Sequence, residues 1–318
     1  MWDKRDLLDI NSLSREEIEL ILHYTGILEP FSGRGNKLNI CKGEILITAF
    51  FEPSTRTEMS FATAMHTLGG DVQCFKPSGS SIEKGESKED TVQILEQYCD
   101  ILVIRDPEID SVKRYADLVN IPVINAGDGS NEHPTQALLD LYTIWKKFNT
   151  INGLRMAIIG DLRYGRNLHS LVEIFGKFDN NKIIGISPPG LELPNNFKTE
   201  DFKGIITEMD KLDEILAEIR PDIVYAGRLR KEYLPLGENP MKYKYEINRD
   251  ILENLSEKTI VMHALPRVDE LNPEVDSDPR FIPFKQARYG LQTRMAIIAL
   301  LLGHEKELMI SNEELPTN

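Results

Sequence analysis

Long apolar runs are missing from this chain. No stretch approaches the roughly 20 residues that span a bilayer, and the opening Met1-Trp2-Asp3-Lys4-Arg5-Asp6 lacks the apolar core of an export signal. The expected location is therefore the cytoplasm, with no membrane partner. Cysteine is scarce as well: Cys41, Cys74 and Cys99 are widely spaced and form no C-x-x-C. That excludes a disulfide framework and points to free, buried thiols in a reducing compartment. Neither these cysteines nor the histidines show ligand spacing, so no metal is expected. Positive charge is outnumbered, 37 Lys and Arg against 51 Asp and Glu for a net −14, which argues against a general nucleic-acid binder. An acidic protein that binds small anions must gather its cations where low-dielectric walls focus their field. The places of Arg56, Lys84, Arg105, Arg166, Arg228 and Arg230 thus matter more than the sum. No G-x-G-x-x-G follows a strand-like run, so dinucleotide binding has little support. The segment Gly160 to Asn167 nears a P-loop but fails it, with Arg166 for the lysine and Asn167 for the Ser/Thr that would hold magnesium.

What is present is an alternation. A chain of 318 residues with 41% hydrophobic content has room for two domains of common size. Strand-like runs recur at 44–51, 71–75, 100–104, 121–124, 154–159, 182–186, 222–226 and 259–262. Helix-like segments at 89–98, 111–119, 134–148, 167–178 and 211–219 separate most of them, and Ser14-Arg15-Glu16-Glu17 reads as a capping box opening an earlier helix. This pattern predicts an α/β protein of two doubly wound parallel sheets covered by helices on both faces. The segment 134–149 carries no strand and is expected to be a long helix connecting the two domains. Leu291 to Leu301 is expected to be a final apolar helix, and 228–247 a long mobile loop.

The unusual polar residues fall on this map in an ordered way. Ser54–Thr57, Arg105 and Asn125–His133 follow strands of the first half; Asp161–Arg166, Arg228–Arg230 and His263–Arg267 follow strands of the second. Carboxyl ends of strands are where open α/β sheets place ligands. The run Phe51-Glu52-Pro53-Ser54-Thr55-Arg56-Thr57 puts three hydroxyls and one guanidinium at a strand-to-helix junction, a place that offers main-chain donors to an oxyanion. Ser54 alone reads as an ordinary N-cap. A cap, however, needs one hydroxyl and no guanidinium.

That run resembles the carbamoyl-phosphate signature of the aspartate and ornithine carbamoyltransferase family. Four further segments resemble the same family in order: Arg105, His133-Pro134-Thr135-Gln136, Gly160 to Ser170, and His263-Ala264-Leu265-Pro266-Arg267-Val268-Asp269-Glu270. No cysteine follows His263, which places the resemblance on the aspartate side rather than the ornithine side. Together the matches run from about residue 1 to 303. Departures are Asp106 where His is usual, Glu132 for Gln, Arg230 for Gln, Tyr233 for Arg and Ala264 for Pro.

The resemblance implies a carbamoyl-phosphate domain of residues 1–134 plus 288–318, an amino-acid domain of 135–287, and an active site in the cleft between them. It implies that Ser54, Thr55, Arg56, Thr57, Ser80, Lys84, Arg105, His133, Gln136, Leu265 and Pro266 bind carbamoyl phosphate, with Arg56, Thr57, Arg105 and His133 catalytic. Lys84, Arg166, Arg228 and Arg230 would bind the acceptor, L-aspartate. The implied reaction gives N-carbamoyl-L-aspartate and phosphate, an early step of pyrimidine synthesis, with no cofactor. The Ser80–Lys84 loop would enter a neighbour's site, so a homotrimer is the expected working unit, and a separate regulatory chain stays open. Leu265-Pro266 is expected to be a cis peptide. Two alternatives stand beside this: transfer to another acidic or N-acylated amine, since Arg230 adds a cation that cannot accept from an ammonium group, and a non-catalytic binding or assembly paralogue.

Overall fold

The computed structural model of the chain describes residues 2–33, 35, 37–207, 211–237, 239–243 and 245–310. The chain divides into two compact units, Met1–Tyr142 with Arg288–Asn318, and Thr143–Ala287.

The first unit is built on a four-stranded parallel sheet in the order β2-β1-β3-β4, formed by β1 (Ile45–Phe50), β2 (Asp71–Phe75), β3 (Ile101–Asp106) and β4 (Val123–Asp128). Runs such as Ile45 to Phe50 are apolar on both pleat faces because helices cover both sides. On one face Ile47, Ala49, Leu102, Ile104 and Val123 cluster with Val92 of α3 (Lys88–Glu96) and with Val112, Tyr115 and Ala116 of α4 (Ser111–Ala116). Helix α2 (Thr55–Leu68) packs on β1 and β2, burying Phe61, Met65 and Leu68 at helical spacing. Each such side chain contributes roughly 1.5–3 kcal/mol on burial. Gly69 ends α2 in the left-handed region, where a Cβ would lie 2.2 Å from the Leu38 carbonyl oxygen. Helix α1 (Arg15–Leu28) opens with the expected capping box, Ser14 and Glu17 each accepting the other's backbone N–H.

The second unit is a five-stranded parallel sheet in the order β7-β6-β5-β8-β9, from β5 (Arg155–Ile159), β6 (Lys182–Ser187), β7 (Phe202–Ile206), β8 (Ile223–Ala226) and β9 (Ile260–Met262). Its core joins Ala157, Ile159, Val224 and Val261 to Leu212 and Leu216 of α7 (Leu212–Ile219) and to Ile251 and Leu252 of α8 (Arg249–Asn254). Helix α6 (Arg166–Phe175) buries Leu168, Leu171, Val172 and Phe175. The chain passes between the units within α5 (Pro134–Phe148) and within α9 (Pro283–Leu301), and α10 (Glu305–Ile310) follows.

Several elements differ from the sequence expectation. The strand expected at 121–124 is shifted to 123–128, because Pro122 cannot continue the ladder and Asn125 and Asp128 satisfy one another inside it (Asn125 Nδ2 to Asp128 Oδ1, 3.0 Å). Strand β7 has no counterpart among the strand-like runs of the sequence. The segment 228–247, expected to be a long mobile loop, instead carries short helical turns at Lys231–Tyr233 and Pro240–Tyr243, with Tyr243, Tyr245 and Ile247 buried in the second core. Positions 238 and 244 of that segment lie outside the described residues. Of the cysteines, Cys41 is buried, Cys99 half-buried and Cys74 exposed, so the expectation of three buried thiols holds for one. Among the described residues, no helix is long and apolar enough to cross a membrane.

Candidate active site

In the first sheet the order of strands reverses between β1 and β3, the two strands whose carboxyl ends carry the Ser54–Thr57 turn and Arg105. Ligands of open α/β sheets bind at such a switch point. Phe50 pairs with Arg105 in register, and the Phe51 N–H donates to the Arg105 carbonyl at 2.8 Å. The Arg105 guanidinium pairs with Glu52 at 3.2 Å and donates to the Ala126 carbonyl of β4 at 3.3 Å. Arg105 is therefore held over the turn. Ser54 occupies the N-cap position of α2 in extended backbone, but its side chain makes no cap bond, which corrects the ordinary-cap reading. Its hydroxyl donates to Thr57 Oγ1 at 3.0 Å instead. Thr55 and Arg56 are exposed and Thr57 is buried. Desolvation lowers the Arg56 pKa, and the guanidinium stays cationic at neutral pH.

Asp106, the departure beside Arg105, faces the opposite side of the strand, as side-chain alternation requires. It is fully buried and receives Lys88 Nζ at 2.8 and 3.0 Å, the Tyr115 hydroxyl at 3.1 Å and the Glu108 N–H at 2.8 Å. Its charge is thus spent on α3 and α4, away from the Arg105 guanidinium. The 125–133 segment is wound around Asp128, which accepts from Asn125, Asn131, and the N–H groups of Asp110 and Glu132. Glu132 is buried and accepts the Ile10 N–H at 3.0 Å. His133 is buried, with Nδ1 3.4 Å from the Thr135 hydroxyl, and Gln136 is oriented by Asp140 at 2.9 Å. After β2, Ser80 caps the short turn Ser81–Lys84 by accepting the Ile82 N–H and donating to the Pro77 carbonyl. Lys84 at the end of this turn is exposed.

The second sheet repeats the device. Its order reverses between β5 and β8, whose carboxyl ends carry Asp161–Arg166 and Arg228–Arg230. These two segments meet. Gly160, at φ 124°, packs so closely that a Cβ would lie 2.5 Å from the Gly227 carbonyl oxygen. Asp161 Oδ1 accepts the N–H groups of Arg163 and Tyr164, forming the turn from which Arg166 opens α6. Arg230 reaches into this turn, donating to the Tyr164 carbonyl at 2.5 Å and facing Asp161 Oδ2 at 3.6 Å. Burial pushes the Asp161 pKa up, while the turn N–H groups and the Arg230 charge oppose that shift. Tyr233 packs its ring on Tyr164 at 4.4 Å, so both departures from the family pattern act on the same turn. Arg228 is exposed.

After β9 the run His263–Glu270 forms a turn with the Leu265-Pro266 bond cis, as expected. His263 Nδ1 accepts the Leu265 N–H at 2.8 Å, which puts the ring proton at Nε2, 2.7 Å from Glu270 Oε1. Glu270 also accepts the N–H groups of Val268 and Asp269. Its pKa falls below the ordinary value: burial alone would raise it, and the hydrogen bonds from His263 and the backbone outweigh that. Arg267 forks onto Asp276. In the sequence Glu270 and Glu52 stand out only as members of longer motifs, and nothing singles out Lys88 or Tyr115. The acid ending Pro-Arg-Val-Asp-Glu was the visible signal for the first, whereas Lys88 and Tyr115 become partners only through the fold.

The comparisons agree with this layout. Residues 5–146 match the family model described as aspartate/ornithine carbamoyltransferase, carbamoyl-P binding domain, and residues 152–301 match its Asp/Orn binding domain. The aspartate carbamoyltransferase catalytic subunit of Thermococcus onnurineus is 43% identical over 307 residues, covering 95% of this chain and 98% of its own. That of Archaeoglobus fulgidus is 44% identical over 298 residues, covering 93% and 98%. Among solved structures, the catalytic subunit of M. jannaschii aspartate transcarbamoylase superposes with a TM-score of 0.86 at 40% identity, covering 95% of this chain and 99% of its own. The Trypanosoma cruzi aspartate transcarbamoylase in complex with N-(phosphonacetyl)-L-aspartic acid gives 0.86 at 35% identity, covering 92% and 94%. With both halves matched in order over nearly its whole length, the chain belongs to the aspartate/ornithine carbamoyltransferase family.

Proposed function

We propose that this chain is a cytoplasmic enzyme that transfers the carbamoyl group of carbamoyl phosphate to the amino group of L-aspartate, giving N-carbamoyl-L-aspartate and phosphate for pyrimidine synthesis. The observation that carries this is the hold on Arg105 beside the Glu52–Thr57 turn, at the switch point of the first sheet. In this reading the first unit binds carbamoyl phosphate and the second binds aspartate.

The amine attacks the carbamoyl carbon, negative charge grows on the carbonyl oxygen, and the bond to phosphate breaks. Thr57, Arg105 and His133 stabilise that oxygen. Ser54, Thr55, Arg56, Ser80 and Lys84 neutralise the leaving phosphate, with Arg56 and Arg105 as the fixed charges. Gln136, set by Asp140, and the Leu265-Pro266 turn, set by His263 and Glu270, address the carbamoyl NH₂. Arg166 and Arg228 receive the carboxylates of aspartate, together with Lys84. Arg230 borders the acceptor through the turn that launches Arg166, and its engagement with Tyr164 and Asp161 favours aspartate over a more anionic acceptor. The relatives and solved structures described above bear aspartate carbamoyltransferase or aspartate transcarbamoylase as their names, which supports aspartate as the acceptor.

The exposure of Lys84 at the end of its turn fits a homotrimer in which Ser80 and Lys84 complete a neighbour's site. Relatives named as catalytic subunits are consistent with assembly, including with a separate regulatory chain. Two experiments test the reading. Phosphate release from carbamoyl phosphate, screened over amine acceptors, should be fastest with aspartate; a faster N-acylated or other acidic amine would replace it. Arg56→Ala and Lys84→Ala chains, each inactive, should regain activity when mixed and reassembled. Hybrid trimers that stay inactive would overturn the shared site.

A further inference from the structure

Away from these segments, the first unit gathers three unlike ligand groups. Cys41 Sγ, a Glu44 carboxylate oxygen and a His304 ring nitrogen all lie within 4.8 Å of one another. Cys41 and Glu44 stand in the turn that enters β1, closed by the Glu44 N–H on the Cys41 carbonyl at 3.1 Å and anchored by the Cys41 N–H on Leu68. His304 comes from the far end of the chain. It is placed by the end of α9, where Gly303 at φ 84° lets the His304 N–H close on the Ala299 carbonyl at 2.9 Å. No spacing rule read along the sequence joins residues 41, 44 and 304.

The geometry points to a zinc site formed by Cys41, Glu44 and His304, clipping the end of α9 to the start of β1. Thiolate, imidazole and carboxylate are the donors that zinc takes, with bonds of about 2.0–2.3 Å, so tetrahedral ligands stand a little over 3 Å apart. His304 Nε2 and Glu44 Oε2, now 2.8 Å apart, need to separate only by a fraction of an ångström. The other ring nitrogen, Nδ1, faces the Glu307 carboxylate at 3.8 Å, close enough that a small shift of that side chain would let it accept the Nδ1 proton and orient the imidazole. Cys41 is fully buried, whereas Glu44 and His304 keep 25% and 20% of their side-chain surface, leaving a solvent side for a water as fourth ligand. Zinc takes the Cys41 sulfur as thiolate, so binding must expel the thiol proton to solvent and affinity must rise with pH.

Metal-stripped full-length chain titrated with Co²⁺ should bind one equivalent with a thiolate-to-cobalt charge-transfer band, release protons, and surrender the site to Zn²⁺. A Cys74→Ser/Cys99→Ser chain should keep the band, and Cys41→Ser should lose it. Because Cys41 is buried, His304→Gln serves as the second variant and should weaken binding at least about 100-fold, with Glu307→Gln weakening it about 10- to 100-fold. Absence of the band in the parent chain, its survival in Cys41→Ser, or unchanged affinity in His304→Gln would overturn the site.

Discussion

Replacing Glu270 by glutamine should destabilise the second unit by an amount that depends on pH. Glu270 is buried and takes the His263 Nε2 proton on one side and the Val268 and Asp269 N–H groups on the other. Glutamine keeps the shape but turns one acceptor oxygen into a donor, so at least one buried N–H then faces another donor. A hydrogen bond to a charged group is worth about 1.5–3 kcal/mol, and a stranded buried donor costs about 1–3 kcal/mol. The expected loss at pH 7 is therefore about 2–4 kcal/mol, readable by urea unfolding. Because the folded pKa of Glu270 lies below the ordinary 4.5, its contribution is complete above that value and is lost as pH falls through the folded pKa. The difference between parent and Glu270→Gln should accordingly be full at pH 7 and shrink below about pH 4.5. A difference under about 0.5 kcal/mol at pH 7, the scale of an ordinary surface change, or one independent of pH, would refute the assignment of Glu270 as the hub of the Leu265-Pro266 turn.

Arg105→Met removes the guanidinium that Glu52 and the Ala126 carbonyl hold at the switch point and should lower kcat by about 100- to 1000-fold while the chain stays folded; steady-state kinetics alongside thermal melting checks this. Arg230→Gln should raise KM for the acceptor more than it lowers kcat, since it loosens the Asp161–Tyr164 turn behind Arg166, and an unchanged KM would separate Arg230 from the acceptor end.

The sheets were legible because parallel strands covered on both faces write themselves as unbroken apolar runs, as in Ile101-Leu102-Val103-Ile104. Strand β7, Phe-Lys-Gly-Ile-Ile, hid behind Lys203 and Gly204. The first half of α9 hid for a related reason. Gly290 interrupts its pattern because a Cβ there would lie 2.4 Å from the Arg294 guanidinium, which folds back along the helix to the Gly290 carbonyl. The buried tyrosines of 228–247 were visible, but the core that receives them was not. Candidate site residues were placed by resemblance and by the rule of strand carboxyl ends. Their supports, Lys88 and Tyr115 on Asp106 and Tyr233 on Tyr164, are tertiary contacts with no local trace.

The most direct measurement is to incubate the purified chain with carbamoyl phosphate and L-aspartate and quantify both products by mass spectrometry and phosphate assay. N-carbamoyl-L-aspartate and phosphate should form in equal amounts, and the Arg105→Met chain should form them far more slowly. Phosphate released without carbamoyl-aspartate, or no turnover of bound carbamoyl phosphate, would contradict the proposed transfer.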